Sequence, residues 1–255
     1  MTNLAKLKSD DARDAELWQM RVDLAAAFRL AAAMNWHESV ANHFSLAVSP
    51  DGKKFLMNPR WKHFSLIKAS DLLLLDSEDA ETMKRPNAPD PSAWCIHGRI
   101  HANLAHARCL LHLHPPYATA LAGLADPELK PIEQNTARFY NRMAIDLGFA
   151  GIADDMAEGE RLARALGNKS RMMMGNHGIL IAAATVAEAF EDLYYLERAC
   201  QTMVLAYSTG QKLNVMPPDL AEKTARGWEE YAGMAFAHFE DQKRMLDRVD
   251  PSYAD

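Results

Sequence analysis

The stretch Cys109-Leu110-Leu111-His112-Leu113-His114-Pro115-Pro116 joins a short apolar run, two alternating histidines and a pair of prolines. The apolar run predicts a buried β-strand, and the prolines end it because proline has no backbone N–H for a sheet. Residues two apart in a strand share a face, with Cα atoms roughly 6.5–7 Å apart. We therefore expect His112 and His114 to point to the same side at one end of a sheet. Such a pair is either a chelate for one metal ion or two hydrogen-bonded core histidines.

A third histidine stands in the turn Gly175-Asn176-His177-Gly178, between two apolar segments. These segments, 171–174 and 179–183, are predicted strands. Glycine on either side of the turn allows unusual backbone angles and a close approach to a ligand. Three neutral imidazoles that leave a coordination position open suit Zn²⁺, and also Mn²⁺, Fe²⁺ or Co²⁺. The spacing in the sequence does not establish that His177 meets the other two histidines.

Helical and strand patterns alternate along the rest of the chain. Helical spacing of apolar residues predicts a first helix over 14–35, and a run of four leucines at 72–75 predicts a fully buried strand. Ser92 follows a proline-rich segment and suits the cap of a helix over 93–107. The other predicted elements are strands over 42–48 and 54–57, helices over 117–124, 156–166 and 185–207, a loop-rich segment over 126–153, and polar helices after 210. This order predicts a layered α/β or α+β fold.

The composition is that of a globular protein. The 255 residues are 49% hydrophobic and carry a net charge of −6, and no linker interrupts them, so we expect a single domain over 1–255. An acidic chain does not predict nucleic acid or an anionic membrane as a partner. Three widely spaced cysteines predict buried thiols in a reducing compartment. With no secretory signal and no apolar run of about 18–20 residues, we expect a cytoplasmic protein.

The histidine motifs and several other segments together resemble the class II aldolase/adducin family. The matching segments are Asn35-Trp36-His37-Glu38, Asn42-His43-Phe44-Ser45, Phe55-Leu56-Met57-Asn58-Pro59, Ala69-Ser70-Asp71, Trp94-x-x-His97, His112-Leu113-His114 and Gly175-Asn176-His177-Gly178. The similarity covers a core of about residues 15–210 and leaves 211–255 as a helical C-terminal extension.

The resemblance implies more than the residue pattern alone. It implies a three-layer α/β/α fold with a mainly antiparallel central sheet. It implies that His112, His114 and His177 bind a divalent metal, most often zinc, with Mn, Fe or Co as alternatives. It also implies a homotetramer with active sites at the subunit interfaces, and the activity of an aldehyde-lyase of carbohydrate metabolism acting on a small molecule.

The sequence departs from the sugar-phosphate aldolases of this family at two places. The carboxylate that these enzymes place directly before the Trp-x-x-His segment is replaced by Ala93, which can neither bind a metal nor transfer a proton. Larger residues replace the small ones whose backbone N–H groups face a phosphate. The positions are Asn42-His43 at the first strand, Arg60-Trp61 after Pro59, and the pair Pro91-Ser92. We therefore expect a substrate without a phosphate group.

Several polar residues are candidates for the groups around the metal. Arg60 would hold a substrate carboxylate in a bidentate grip, although an arginine in a loop is also an ordinary surface residue. His97 matches a family position and is the candidate proton donor, and His101 shares its helix face. The remaining candidates are His43, Ser92 and Arg138 for substrate binding, and Tyr140 for catalysis.

Three functions remain open on the sequence. The first is a metal-dependent lyase, of aldolase or decarboxylase type, acting on a small hydroxy or keto carboxylic acid or a sugar-derived substrate. Decarboxylation tolerates Ala93 better than aldol cleavage does, because it needs no base for a hydroxyl proton. The alternatives are a non-enzymatic binding module like the adducin head, and a sugar-phosphate epimerase or aldolase.

Overall fold

A single mixed sheet forms the centre of the molecule. The computed structural model describes residues 3–149, 151, 156–231 and 233–255, with side chains from residue 11 onward. The strands are β1 (His43–Ala47), β2 (Lys54–Met57), β3 (Leu73–Asp76), β4 (Cys109–Leu113), β5 (Met143–Asp146), β6 (Arg171–Met174) and β7 (Gly178–Ala183). Across the sheet their order is β3-β2-β1-β4-β7-β6-β5.

The sheet is mainly antiparallel, as the resemblance implies. β5 and β6 run parallel, and the other five neighbouring pairs are antiparallel. The sequence did not predict β5, which lies in the segment expected to be loop-rich. β5 is a short edge strand whose residues are all partly exposed, so it carries no run of buried side chains that would reveal it.

Helices cover both faces of the sheet. They are α1 (Asn3–Ala33), α2 (Pro91–Asn103), α3 (Pro116–Ala122), α4 (Gln134–Ala137), α5 (Met156–Leu166), α6 (Val186–Ser208), α7 (Pro218–Glu229) and α8 (Met234–Val249). Helices α2 and α5 pack with Leu110 and Leu180 on one face of the sheet. Helices α1, α3 and α6 pack with Leu111 and Ile181 on the other face. This is the expected three-layer α/β/α arrangement.

The two ends of the sheet carry different residues. At one end, which we call the site end, β4 finishes at Leu113, β6 finishes at Met174 and β7 begins at Gly178. At the opposite end, the far end, β4 begins at Cys109 and β6 begins at Arg171. The two histidines of the β4 motif and the β6–β7 turn therefore meet at the site end.

The start of α2 differs from the sequence prediction. The helix begins at Pro91, and Asp90 caps it by accepting hydrogen bonds from the backbone N–H groups of Ser92 and Ala93. Ser92 was the predicted cap, and it instead lies in the first turn. Aspartate is as good a cap as serine, and proline is well suited to the first helical position, so both signals favour the earlier start.

The four-leucine run was also misjudged. The strand covers Leu73–Asp76 and lies at the edge of the sheet beside β2. Leu74 is 44% exposed, so the prediction of a fully buried strand was wrong. An edge strand has a neighbour on one side alone, and an apolar run does not reveal which strand takes that position.

The C-terminal helices pack onto the rest of the chain. Phe239 of α8 and Tyr253 are both buried within the main apolar cluster. The Arg29 guanidinium on α1 lies 2.9 Å from the carboxylate of Asp250. All three cysteines are buried, as predicted. Within the described residues, no helix combines the length and the apolar character that a membrane span requires.

Candidate metal centre

Three histidines come together at the site end of the sheet. His112 lies on β4 and is 3% exposed, His114 follows the strand directly, and His177 lies in the β6–β7 turn. Each ring has a nitrogen that lies within 4.8 Å of a nitrogen of both other rings. The ring centroids are 4.7 to 5.1 Å apart. The structure thus brings together the three residues that the sequence suggested as metal ligands.

The turn that carries His177 depends on glycine for space. A Cβ added to Gly178 would lie 2.4 Å from Cδ2 of His114 and 2.7 Å from the carbonyl oxygen of Leu113. The left-handed backbone conformation falls on Asn176, whose φ is 55°, and not on either glycine. The expected close approach is therefore present, but the approaching group is the His114 ring, and asparagine takes the unusual backbone angle.

Hydrogen bonds fix two of the three rings. The Nδ1–H of His112 donates to the carbonyl oxygen of Ile179 at 2.9 Å. The Nδ1–H of His114 donates to Oε2 of Glu38 at 2.7 Å. A ring that donates from Nδ1 presents its Nε2 lone pair to a ligand. Nε2 of His114 is buried and has no hydrogen-bond partner within the described residues.

The electrostatics favour neutral rings. Burial lowers the pKa of His177 to about 4, and the nearby imidazole of His114 adds to this effect. Burial also holds the pKa of His112 well below its ordinary value, reinforced by the neighbouring rings of His43 and His177. A metal ion binds neutral imidazole, so these rings need not lose a proton before binding at neutral pH.

The residues fit a divalent metal. Three imidazole nitrogens that leave a coordination position open are typical of catalytic zinc sites. A carboxylate that orients a ligating histidine, as Glu38 does for His114, is the common arrangement around such sites. The buried and unpartnered Nε2 of His114 is the feature that a bound metal would satisfy.

Beside the three histidines lies a buried polar chain on α2 and β1. The ring of His43 is 4.8 Å from that of His112, its partner across the β1–β4 pair. His43 contacts His97 through nitrogen atoms 2.8 Å apart. His97 in turn contacts Ser45, which also contacts His101. His43 and His97 are thus close to the metal centre, and His97 reaches it through His43.

The other candidates at the site end make separate contacts. Arg60 lies just beyond the end of β2, whose last residue, Met57, pairs with Ser45. The guanidinium carbon of Arg60 lies 4.4 Å from the ring centroid of Trp61. The hydroxyl of Ser92 donates to Asp90 at 2.6 Å. Ala93 is 1% exposed and packs in an apolar cluster, so position 93 offers no carboxylate to the metal.

Arg138 and Tyr140 lie at the far end of the sheet. They precede β5, whose first residue Met143 pairs with Arg171 at that end. Arg138 forms an ion pair with Asp192 at 3.2 Å. Within one chain these two candidates do not meet the metal centre. They were candidates because their segment is polar and lies where the resembled family has residues that line the pocket, and neither signal distinguishes the two ends of a sheet.

Sequence reasoning missed two features of the site end. Glu38 was noted only as part of a segment that resembles the family, whereas it accepts a hydrogen bond from His114. His63 was not considered, and its Nε2 lies 2.8 Å from Nε2 of His37. Both contacts join distant parts of the chain, so no local pattern announces them. The one available signal is that His37 and Glu38 are adjacent polar residues shortly after α1, which ends at Ala33.

Comparison with known proteins identifies a family model and several relatives that the chain resembles. The sequence profile of the Class II Aldolase and Adducin N-terminal domain matches residues 22–204. A protein of Caulobacter vibrioides, provisionally named an aldolase class 2 protein, is 34% identical over 243 residues, which are 93% of each chain. The decarboxylase NovR of Streptomyces niveus is 26% identical over 201 residues, which are 76% of this chain and 74% of NovR.

Solved structures share the fold. An aldolase II superfamily protein from Pseudomonas syringae matches with a TM-score of 0.84 and 33% identity, over 93% of this chain and 96% of its own. The L-fuculose 1-phosphate aldolase of Glaciozyma antarctica matches with a TM-score of 0.80 and 24% identity, over 94% of each chain. At that identity the second likeness is one of fold alone.

Proposed function

The chain belongs to the class II aldolase and adducin family, and from that premise we propose that it is a metal-dependent lyase. It would cleave a carbon–carbon bond in a small hydroxy or keto carboxylic acid without a phosphate group. The observation that carries the proposal is the cluster of three histidines at the site end, in which the buried Nε2 of His114 has no partner among the described residues.

The metal ligands in this proposal are His112, His114 and His177, with zinc as the first metal to test and Mn, Fe or Co as alternatives. A bound divalent metal would act as a Lewis acid that stabilises the negative charge developing as the carbon–carbon bond breaks. Glu38 and the carbonyl of Ile179 hold two of the rings so that their Nε2 lone pairs converge. This orientation exists before any ligand arrives, so binding needs little reorganisation.

The substrate class follows from what position 93 lacks. Ala93 sits in an apolar cluster and leaves no carboxylate that takes a proton from a substrate hydroxyl. Decarboxylation does not need such a base, because the bond to the carboxylate breaks, CO₂ leaves, and the remaining electron pair later takes a proton. The similarity to a decarboxylase, NovR, supports this branch of the proposal. Arg60 would anchor a carboxylate of the substrate through two parallel hydrogen bonds.

We also propose a cytoplasmic homotetramer with active sites at subunit interfaces. Arg138 and Tyr140 lie at the far end of the sheet, so they would contribute to a metal centre only on a neighbouring copy. Sedimentation velocity tests the assembly, and a stable monomer at micromolar concentration would contradict it.

The activity is tested with a panel of β-keto, 2-keto and hydroxy acids on protein loaded with zinc or manganese. The readouts are CO₂ release and aldehyde or keto-acid formation. We expect turnover that chelation abolishes and that His112→Ala eliminates, while His106→Ala, which removes an exposed histidine, leaves turnover unchanged. Equal turnover in metal-free protein would contradict the proposal.

The two alternative functions can be tested on the same purified protein. A binding module like the adducin head would show no turnover with any metal and would sediment with actin filaments. A sugar-phosphate epimerase or aldolase would act on phosphorylated sugars. Neither accounts as well for the three clustered histidines together with the loss of the small residues that face a phosphate in the sugar-phosphate aldolases.

A further inference from the structure

A continuous hydrogen-bonded chain runs from a backbone carbonyl to the edge of the metal centre. Nδ1 of His101 lies 2.6 Å from the carbonyl oxygen of Ala107, and its Nε2 lies 2.6 Å from the hydroxyl of Ser45. The same hydroxyl lies 2.5 Å from Nδ1 of His97. Nε2 of His97 lies 2.8 Å from Nδ1 of His43. We call these residues the histidine relay.

The carbonyl at one end decides the position of every proton in the relay. A carbonyl oxygen accepts and never donates, so Nδ1 of His101 carries the proton and its Nε2 accepts from the Ser45 hydroxyl. The Ser45 oxygen then accepts from Nδ1–H of His97. Nε2 of His97, left with a lone pair, accepts from Nδ1–H of His43. The last free atom of the relay is therefore Nε2 of His43, and it carries a lone pair.

Burial makes this arrangement unambiguous. His97, Ser45, His101 and His43 are 0%, 0%, 2% and 4% exposed. Burial holds the pKa of His97 well below its ordinary value and lowers the pKa of His101 to about 4. His97 and His101 are accordingly neutral at physiological pH, and a neutral ring that donates from one nitrogen must accept at the other.

A purely structural role would not require this set of residues. Buried polar groups are costly unless every one is hydrogen-bonded, and an apolar core on this face would need no such matching. The relay is paired from the Ala107 carbonyl to Nδ1 of His43, and Nε2 of His43 is the atom left at its end. That atom belongs to the ring lying 4.8 Å from His112.

We propose that the histidine relay holds His43 in its Nδ1–H tautomer, so that Nε2 accepts a hydrogen bond from a substrate hydroxyl beside the metal centre. In this role His43 contacts the substrate, and His97, Ser45 and His101 are positioning residues. The tautomer of His43, and not its charge, is what the relay sets. This inference rests on the proposed metal-dependent function and narrows its substrate to acids that carry a hydroxyl near the carboxylate.

A fixed acceptor at Nε2 of His43 should make the site distinguish acids that carry the hydroxyl from acids that lack it. A site that hydrogen-bonds a hydroxyl rejects an analogue that lacks it, because the buried acceptor is then left unpaired. The simplest matched probes are glycolate and acetate, which differ by one hydroxyl group. The wild-type protein should prefer glycolate. When the relay is broken at Ser45, that preference should fall about tenfold, the fold-change that corresponds to one hydrogen bond.

The first test reads the His43 tautomer directly in the wild-type protein. Nitrogen NMR of protein labelled at histidine distinguishes the two neutral tautomers by their two-bond correlations, and a His43→Gln sample identifies the His43 signals. The relay predicts the Nδ1–H form of His43 in the wild type. Finding the Nε2–H form would overturn the proposal without reference to activity or metal.

The second test uses Ser45→Ala, with Ser208→Ala as the matched control because the exposed Ser208 donates to the carbonyl oxygen of Leu205 in the last turn of α6. Metal content, His43 tautomer and the glycolate-to-acetate affinity ratio are measured on each zinc-loaded protein. Full metal with mixed tautomers and a reduced ratio in Ser45→Ala alone supports the relay. An unchanged tautomer and ratio in Ser45→Ala overturns it. If the wild type binds no metal, the proposed function fails, and the NMR result still decides the relay.

Discussion

Nδ1 of His114 lies 2.7 Å from Oε2 of Glu38, although 76 residues separate the two in the sequence. Glu38 belongs to the segment after α1, and His114 follows β4, so the contact exists only in the folded chain. The carboxylate fixes the ring and directs Nε2 toward His112 and His177. The exposed Glu38 thus sets the orientation of the buried Nε2 of His114.

Removing this carboxylate should weaken metal binding. Glu38→Ala is expected to lower zinc affinity about 10- to 100-fold, because His114 loses the partner that orients it. Glu38→Gln should lose less, because its amide oxygen still accepts the hydrogen bond. Competition with a chromogenic chelator measures the affinity. Glu81→Ala, at an exposed ion pair, is the control, and an equal effect there would refute a specific role for Glu38.

Gly178 should be indispensable to the metal centre. In Gly178→Ala the new Cβ would overlap the His114 ring and the Leu113 carbonyl, so the turn or the ring must move. We expect loss of bound metal and a lower Tm. Gly227→Ala is the matched control, because its added Cβ meets nothing within 4 Å and it lies inside α7. Retention of full metal content by Gly178→Ala would show that His114 is not held as described.

The stability of the metal-free protein should fall in mild acid. Burial lowers the pKa of His101 from 6.5 to about 4, so between these pH values the unfolded chain binds more protons than the folded one. The free energy of unfolding therefore rises with pH across this window, and the loss of stability caused by His101 is absent above pH 6.5. One such histidine accounts for up to about 3 kcal/mol between pH 7 and pH 4.

Urea unfolding at pH 7, 6 and 5 checks this expectation. His101→Phe should flatten the curve by the share of one histidine if it folds, and His106→Gln, at an exposed position, should leave it unchanged. A free energy of unfolding that does not change between pH 7 and 5 would mean that the relay histidines are not buried as neutral rings.

Arg60 should determine affinity for the substrate carboxylate and not for the metal. Arg60→Gln is expected to raise KM for an active acid by about tenfold or more, since a charge-assisted pair is lost, and to leave bound zinc unchanged. Arg60→Lys should recover little, because an ammonium cannot make the bidentate grip. Arg244→Gln, at an exposed pair, is the control. An unaltered KM in Arg60→Gln would show that Arg60 is an ordinary surface residue that does not bind the substrate carboxylate.

The residue pattern predicted the layered fold and the His112–His114 pair for identifiable reasons, and the family resemblance added His177. His112 and His114 alternate with Leu113 and precede two prolines, so the pattern predicts that their side chains share a face and lie at the end of a strand. The edge positions of β3 and β5 were not predictable, because strand order depends on pairings between distant segments. The place of Arg138 and Tyr140 at the far end depends on the same distant pairings, so the sequence did not show that they lie away from the metal centre of their own chain.

The histidine relay shows where local patterns reach their limit. The spacing of His97 and His101 predicts that they share a helix face. Their partners His43 and Ser45 lie on a strand more than 50 residues away, and only the packing of α2 on β1 joins them. Glu38 is a second case, since its role depends on the position of β4 and not on its own neighbours in the chain.

The most direct test of the account is the metal content per chain, measured by plasma mass spectrometry on protein purified without chelator or nickel affinity resin. The account predicts close to one Zn, Mn, Fe or Co per wild-type chain, little in His112→Ala, and an undiminished amount in His106→Ala. A wild type that carries no metal even after incubation with zinc, or a His112→Ala variant that retains it, would contradict the metal centre.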